Sequence, residues 1–431
     1  MASATTTPTS WSSNFRALRH RNFRLYWSGQ LISLVGTWMQ SVAQGWLMHR
    51  LTPSAFMLGL LGFVQFLPVL PLALYAGVVA DHMDKRRLLL ITQSLLLLQA
   101  VVFAALAGTG SIRPWMVLVL AGVLGTVNTF DMPARQSFVI EMTGREDLAN
   151  GIALNSAAFN TARILGPAIG GLLLGWAGEG TCFWLNALSF LAVIVGLAMM
   201  RIETFVAPAE SARSIRHNLT EGVRYAWSRE PIRNLLILLA VCAGLGFQFN
   251  VLLPVYTRDV MHAGPKVYGL LLAGFGAGSL VASGRMTMRL DRWALRRQLL
   301  SGLLTGGLGM IGFAWVRWLP GMVAMGALAG FGLILYVSST NTLIQMTTED
   351  AFRGRVMSLY TLMFVGTAPF GSLMAGAVGE RWGAPMATTV CAVILLFGAL
   401  WISRRLRTLA AREQAERDAV ERAEREAEPI T

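Results

Sequence analysis

Residues 67–98 read LPVLPLALYAGVVADHMDKRRLLLITQSLLLL, in which two apolar stretches flank one short charged loop. A helix needs about 20 apolar residues to cross the hydrocarbon core of a bilayer, which is about 30 Å thick. The apolar stretches on both sides of this loop continue far enough to reach that length. The pattern therefore predicts two membrane-spanning helices joined by a charged loop at the membrane surface.

The same alternation of apolar runs and short polar loops continues along the chain. Apolar runs of membrane-spanning length occur at 25–48, 55–80, 88–108, 114–138, 151–177, 181–200, 233–257, 266–288, 298–316, 319–345, 355–378 and 384–403. Because the connecting loops are short, we expect neighbouring helices to be antiparallel. The predicted fold class is an all-α membrane protein with twelve transmembrane helices embedded in a lipid bilayer.

The composition agrees with this prediction and narrows the possible functions. Of the 431 residues, 54% are hydrophobic and only 14% are charged, whereas a soluble domain is about a quarter charged. The net charge of +13 does not indicate a nucleic-acid partner, because the basic residues lie in short clusters between apolar runs. The sequence also lacks a nucleophile–base set, metal-ligand spacing or a phosphate loop. We therefore predict no enzyme activity, no cofactor and no metal site.

The positions of the basic residues predict the orientation in the membrane. Most of the 36 lysine and arginine residues fall in alternate loops and in the two tails. Loops rich in lysine and arginine stay in the cytoplasm, so we expect both termini to be cytoplasmic and the number of crossings to be even. The expected location is the inner (cytoplasmic) membrane of a bacterium.

Two short segments of the chain repeat. EDLANG at 146–151 precedes the fifth apolar run, and EDAFRG at 349–354 precedes the eleventh. Six runs separate the copies, so both have the same orientation, which predicts two pseudo-symmetric six-helix lobes with a site at their interface. The predicted organisation is a cytoplasmic N-terminal segment at 1–24, a first lobe at 25–200, a cytoplasmic linker at 201–232, a second lobe at 233–403 and a charged cytoplasmic tail at 404–431.

The charged loop after the second run contains Gly77, Asp81, Lys85 and Arg86. Their spacing resembles the signature G-x-x-x-D-R-x-G-R-R of the major facilitator superfamily, although two other signature positions differ. The resemblance implies that Asp81 accepts hydrogen bonds from the N-terminus of the eleventh helix and latches the lobes on the cytoplasmic side. Arg135 lies close enough to the membrane rim to reach Asp81. The alternative is a loop that only anchors the chain by its positive charge.

The fifth run contains Gly166, Pro167, Gly170 and Gly171. It resembles the G-P-x-x-G-G core associated with exporters of that superfamily. Further stretches resemble its transmembrane secretion effector branch, which includes enterobactin exporters and macrolide efflux proteins. The resemblance implies a monomer that exports a small drug-like or siderophore-like molecule by alternating access, driven by protons. Three alternatives stay open: uptake by the same fold, a non-transporting membrane sensor or scaffold, and a motif that only packs helices.

Two charged residues are predicted deep inside the membrane. Arg163 lies about 18 Å along the fifth helix, and Asp131 lies about 10 Å from the end of the fourth. An unpaired arginine at this depth costs about 3 kcal/mol on insertion scales. Facing residues of an antiparallel hairpin have a constant index sum, and the midpoint of 131 and 163 is Asp147, within the turn. We therefore expect Asp131 and Arg163 to lie at similar depth and to pair. One hypothesis is a permanent structural pair, and the other makes Asp131 a proton-coupling site whose hold on Arg163 changes during transport.

Polar residues predict the substrate cavity. The first helix has them at helical spacing on one face: Gln30, Thr37, Gln40 and Gln44. In the fold that the chain resembles, helices one, four, seven and ten line the cavity, which adds Asn128, Gln248, Asn250, Tyr336 and Asn341. Polar groups do not face lipid freely, and amides with aromatic rings suit a fairly large amphipathic solute. For each residue the alternative is a hydrogen bond between helices.

Overall fold

The computed structural model describes residues 15–201, 212–246, 248–285 and 291–427. Over these ranges the chain forms helices joined by turns, with no β-strand. The helices are α1 Arg21–Leu51, α2 Ala55–Phe66, α3 Val69–His82, α4 Lys85–Gly108, α5 Pro114–Thr143, α6 Leu148–Ala198, α7 Ala212–Ser228, α8 Glu230–Gly246, α9 Pro265–Arg285, α10 Arg292–Trp315, α11 Leu319–Thr347, α12 Arg353–Gly366, α13 Ala368–Trp382 and α14 Ala384–Ala427. A 3₁₀ turn at Arg16–Arg19 precedes α1, and short 3₁₀, α and π turns follow α8.

Ten stretches of the described chain are long and apolar enough to cross a membrane. This confirms a multi-pass, all-helical membrane protein. The helix α1 is not among the ten although it has 31 residues, because the polar residues along its length lower its mean hydropathy.

The longest helix, α6, is broken at Gly178. Gly178 has φ 77 and ψ 177, a backbone conformation that only glycine adopts easily. The sulfur of Cys182 lies 3.8 Å from the carbonyl oxygen of Gly170, 12 residues earlier, whereas 12 residues of straight helix would span about 18 Å. The chain therefore turns back at Gly178, and α6 consists of two antiparallel arms.

We refer to the described residues before α7 as the first half of the chain and to those from α7 onward as the second half. The end of the bundle at which α1 begins is called the near end. The opposite end, where α1 stops at Leu51, is called the far end. In the first half, α1 packs on the second arm of α6, where a methyl group at Gly29 would meet the Ala192 carbonyl oxygen at 2.9 Å. In the second half, α10 packs on α11, where a methyl group at Gly302 would meet the Tyr336 nitrogen at 2.6 Å. Small residues thus allow close helix packing in each half.

A clamp at the near end holds the segment that leads into α1. Asp147, just before α6, accepts from Arg16 at 3.2 Å and contacts His20 at 2.9 Å. The backbone N–H of Ala17 donates to Asn150 at 2.9 Å. Asp147 and Asn150 belong to the first copy of the repeated segment, so this copy fixes where α1 enters the bundle.

The second copy of the repeat makes an equivalent clamp. Glu349 pairs with Arg229 at 2.6 Å, and its backbone N–H donates to the Tyr225 hydroxyl at 3.2 Å. The rings of Tyr225 and Phe352 stack with their centroids 4.2 Å apart. Because Tyr225 and Arg229 lead into α8, each half fastens its own lead-in segment to its own copy of the repeat.

We expect Gly178→Ala to lower the melting temperature of the detergent-solubilised protein. A side chain at this positive φ costs about 1–3 kcal/mol of strain, and the thermal unfolding curve measures the shift. Gly108→Ala is the matched control, because Gly108 ends a helix at the same end of the bundle and a methyl group there would meet nothing within 4 Å. Equal melting temperatures for the two variants would contradict the assigned strain.

Candidate functional site

Asp131 is a buried carboxylate in α5, with 2% of the residue exposed. It accepts hydrogen bonds from Thr92 at 2.7 Å and from Gln93 at 2.8 Å, both on α4. It also forms an ion pair with Arg135, one helical turn further along α5. The carboxylate is therefore neutralised and hydrogen-bonded within the first half.

The expected pair between Asp131 and Arg163 is not formed in this structure. Arg163 is half-buried in the first arm of α6, and its Nε atom is buried without a hydrogen-bond partner. Among the described residues no carboxylate pairs with it. Asp131 pairs within its own helix because Arg135 stands four residues later, and this spacing brings the two side chains together on one helix face.

Arg163 lies at the boundary between an exposed and a buried part of one face of α6. Toward the near end, Ile152 is 52% exposed and Phe159 is 42% exposed. Toward the far end, Gly166 and Gly170 are buried. These residues follow one another at intervals of seven, four, three and four positions and so share a face. This face is exposed between Arg163 and the near end, and it is buried between Arg163 and the far end.

The four matches to the signature loop are found at the near end, where the predicted latch is open. Asp81 ends α3 with its side chain exposed, and no described residue pairs with it. A methyl group at Gly77 would meet nothing within 4 Å, so no described helix packs closely against this glycine. Lys85 pairs with Glu141 at 2.6 Å. Arg86 donates to two backbone carbonyls at the end of α6, at 2.7 and 2.8 Å.

Arg135 pairs with Asp131 and not with Asp81, which corrects the expectation that it reaches the loop. The loop residues are therefore fastened to helices of the first half only. Nothing in the described part of the chain ties Asp81 to α12 in the second half.

The two halves meet closely at the far end. A methyl group at Gly59 would lie 2.7 Å from the Cα atom of Gly376, which brings α2 against α13. A methyl group at Gly171 would lie 2.7 Å from the Gly269 nitrogen, which brings α6 against α9. Such backbone-to-backbone contacts require glycine on both sides. The far end is thus closed by two glycine contacts between the halves.

Polar contacts between the halves add to this closure. Glu380 accepts from the Ser54 hydroxyl at 3.0 Å and from the Phe56 backbone N–H at 3.1 Å, so it caps α2 from the other half. His49, with 1% of its side chain exposed, contacts Asp259 at 2.9 Å. These contacts are not predictable from the sequence, because residues that are far apart in the chain and meet only in space leave no periodic signal.

The exporter-like motif packs helices in two directions. A methyl group at Gly166 would lie 2.9 Å from the Val35 carbonyl oxygen, and one at Gly170 would lie 3.0 Å from the Met39 Cα atom, both on α1. Gly171 contacts the second half, as described above. Pro167 is buried between these positions. The motif thus packs helices within the first half and also joins the two halves.

Three residues predicted to line a cavity are turned into their own half, which corrects that prediction. Gln40 accepts from Asn186 at 2.7 Å and donates to Gln99 at 3.2 Å, within the first half. Gln248 is hydrogen-bonded to a serine of α13. Tyr336 is fully buried and donates to a backbone carbonyl of α8 at 3.0 Å. These are the helix–helix hydrogen bonds that were the alternative for each residue.

The other candidates have mixed surroundings. Gln30 and Gln44 are buried and have side-chain atoms without hydrogen-bond partners. Thr37 donates to a backbone carbonyl one turn earlier in α1. Asn128, Asn250 and Asn341 are half-buried, and Asn341 accepts from Gln345 at 2.5 Å. These residues stay candidates for the cavity.

The family follows from comparison with known proteins. Residues 12–428 match the family described as transmembrane secretion effector. The chain belongs to the transmembrane secretion effector family. The multidrug efflux pump Tap of Mycolicibacterium fortuitum is 27% identical over 81% of this chain and 87% of its own length. The staphyloferrin A transporter of Staphylococcus aureus is 22% identical over 89% of this chain and 97% of its own length. The macrolide efflux protein A of Streptococcus pyogenes is 20% identical over 84% of this chain and 90% of its own length.

Solved structures show the same fold. The nucleoside transporter NupG has a TM-score of 0.72 at 10% identity, over 90% of this chain and 98% of its own. A bacterial homologue of the lysosomal transporter Spinster has a TM-score of 0.71 at 13% identity, over 90% and 97%. This member of the transmembrane secretion effector family therefore has the major facilitator fold. It is a membrane transporter with a small-molecule substrate, and not an enzyme.

We expect Gly171→Val to open the far end. The added side chain cannot fit against the Gly269 backbone, so closed molecules become rarer. Disulfide formation between Ala55→Cys and Gly379→Cys reports closure, because their Cβ positions lie 3.2 Å apart across the halves, close to disulfide geometry. The yield is expected to fall by about half or more.

The cross-linking needs two controls. The three native cysteines are buried and are replaced by alanine in every variant. Gly108→Val, at the far end of α4, adds the same side chain where a methyl group would meet nothing within 4 Å, and it should leave the yield unchanged. A Gly171→Val protein that cross-links as efficiently as its parent would show that this contact does not hold the far end closed.

Proposed function

We propose that the protein is a proton-coupled exporter of a small amphipathic molecule in the inner membrane of a bacterium. The relatives named as efflux pumps support export. The observation that carries the coupling is the Asp131 carboxylate, which is buried in the interior of the bundle and held by Arg135, Thr92 and Gln93. Ionisable residues at such depth are costly and typically belong to proton or substrate paths.

The proposed topology has twelve crossings in two six-helix halves. It adds two crossings to the ten apolar stretches: one is α1, and the other comes from the turn at Gly178 that divides α6. The near end, where Arg21, Lys85 and Arg353 begin their helices, faces the cytoplasm under the rule that basic loops stay inside. Both termini are then cytoplasmic, and the bundle works as a monomer.

The transport cycle alternates access to a site between the halves. In the structure described here the far end is closed by glycine contacts, while Asp81 at the near end is exposed and unlatched. This arrangement supports loading of substrate from the cytoplasm. In the opposite state the far-end contacts separate and the near-end latch at Asp81 forms.

The proton acts on the charge balance around Asp131. When the far end is open, a proton reaches the carboxylate and removes the negative charge that holds Arg135. When the near end is open, the proton leaves to the cytoplasm and the pair reforms, as in the structure. One proton therefore moves inward as the substrate moves outward. The permanent structural pair is the competing account of the same residues.

We expect Asp131→Asn to abolish proton-driven transport while the protein still folds and exchanges substrate. Asparagine retains an oxygen that accepts from Thr92 and Gln93, but it cannot carry the proton. Transport of a fluorescent dye into inside-out vesicles is measured with a pH gradient, and dye exchange is measured in proteoliposomes without one. Glu146→Gln is the control, because Glu146 is an exposed carboxylate at the near end. Full gradient-driven transport by Asp131→Asn would leave the structural pair as the explanation.

Export itself is tested in cells that lack their own efflux pumps. Expression should lower the accumulation of carboxyfluorescein, rhodamine 6G or erythromycin, and a protonophore should restore it. Higher accumulation on expression would show uptake, and unchanged accumulation of all three probes would count against export of drug-like molecules.

A further inference from the structure

In the described membrane-crossing segments, only three charged side chains meet two conditions. They lie more than two helical turns from either end of their segment, and they lie away from the bend at Gly178. They are Asp131, Arg135 and Arg163. Asp131 and Arg135 form an ion pair, so their charges cancel. Arg163 lies 15 residues from Leu148 and 15 from Gly178, midway along its arm of α6. The interior of the bundle therefore has one uncompensated positive charge.

Arg163 emerges between the two halves. Its neighbour Ile164 packs on α9 of the second half, where a methyl group at Gly276 would meet it at 3.1 Å. Gly166 packs on α1, within 2.9 Å of the Val35 carbonyl oxygen. Each residue of a helix is turned by about 100° from the one before, so position 163 points between these two contacts. The guanidinium group thus lies at the junction of the halves.

Toward the near end, the face of α6 that carries Arg163 is exposed between the contacts of this helix with α1 and α9, and we call this exposed strip the space below Arg163. Ile152, Ser156 and Phe159 share the face of Arg163 and are exposed, whereas Gly166 beyond it is buried. The ring of Phe159 contacts the ring of Trp38 edge to face, with centroids 6.0 Å apart. The closed end of this space therefore combines a cation with aromatic walls.

We propose that Arg163 binds an anionic group of the transported molecule, so that the substrate class is amphipathic organic anions. A guanidinium group presents a fork of donors that matches a carboxylate or phosphate, and the Nε atom of Arg163 has no hydrogen-bond partner among the described residues. The aromatic walls contact the apolar part of the solute. A cationic drug is disfavoured, because the positive charge of Arg163 would repel it. Asp131 is already paired with Arg135 and offers no counter-ion. This inference rests on the proposed function only in taking the space below Arg163 as the substrate path.

The test compares two dyes that share a xanthene ring system and differ in charge. Carboxyfluorescein is anionic and rhodamine 6G is cationic. Binding of each dye to the purified full-length protein in lipid nanodiscs is measured by fluorescence anisotropy, without a proton gradient. We expect carboxyfluorescein to bind at least about tenfold more tightly, a difference of about 1.4 kcal/mol at 25 °C.

The variants assign the charge preference to one side chain. Arg163→Gln should weaken carboxyfluorescein binding by about tenfold or more and leave rhodamine 6G binding unchanged or stronger, while Arg163→Lys should retain part of the anion affinity. Arg113→Gln is the control, because Arg113 is exposed at the far end. Elution of every variant as a single symmetric peak in gel filtration shows that it is folded.

Preferential binding of rhodamine 6G, no measurable binding of carboxyfluorescein, or an anion affinity unaffected by Arg163→Gln would each overturn the inference. The outcome is independent of coupling and direction, because no gradient is present. A protein that binds the anion through Arg163 but exports nothing from cells would keep this inference and refute the proposed export.

Discussion

The ion pair between Asp131 and Arg135 determines the charge distribution in the interior of this transporter. A bilayer penalises charge that is neither paired nor hydrated, and this pair satisfies the only acidic residue at mid-membrane depth in the described chain. Two residues of α4 complete its hydrogen bonding. Because the pair lies within one helix, it needs nothing from the second half. Among the described residues, Arg163 is left without a carboxylate partner, on the face of α6 between its contacts with α1 and α9.

Close approaches of the backbone mark the contact between the halves at the far end. Gly171 against Gly269 and Gly59 against Gly376 bring backbone to backbone there. Contacts of this kind give van der Waals attraction without interlocking side chains. Because no side chains interlock at these two points, the backbones can separate there without leaving large cavities. The architecture thus allows movement between the halves.

The fold was readable from the sequence because lipid imposes a simple rule on length and composition. Apolar runs and basic loops predicted a multi-pass helical protein, and the repeated segment at 146–151 and 349–354 is explained by the two clamps. The site was less readable. Depth placed Asp131 and Arg163 together, but the i,i+4 partner Arg135 was nearer in space.

The polar stripe of α1 shows a second limit of sequence patterns. Helical spacing correctly placed Gln40 on one face with the other glutamines, but spacing cannot say which neighbour that face meets. In the structure Gln40 meets Asn186 and Gln99 of its own half. Contacts between distant residues, such as His49 with Asp259, depend on how the halves are arranged, and the spacing of residues along one helix does not encode this.

The clamp on Asp147 has a consequence for biosynthesis. Ribosomes deliver Arg16 and His20 long before Asp147, and α1 is too polar to stand among the ten strongly apolar stretches. The clamp can therefore form only after the loop ahead of α6 has been made. The residue that secures the entry of α1 lies more than a hundred positions downstream. We therefore expect α1 to be fixed in place later than its position in the sequence suggests.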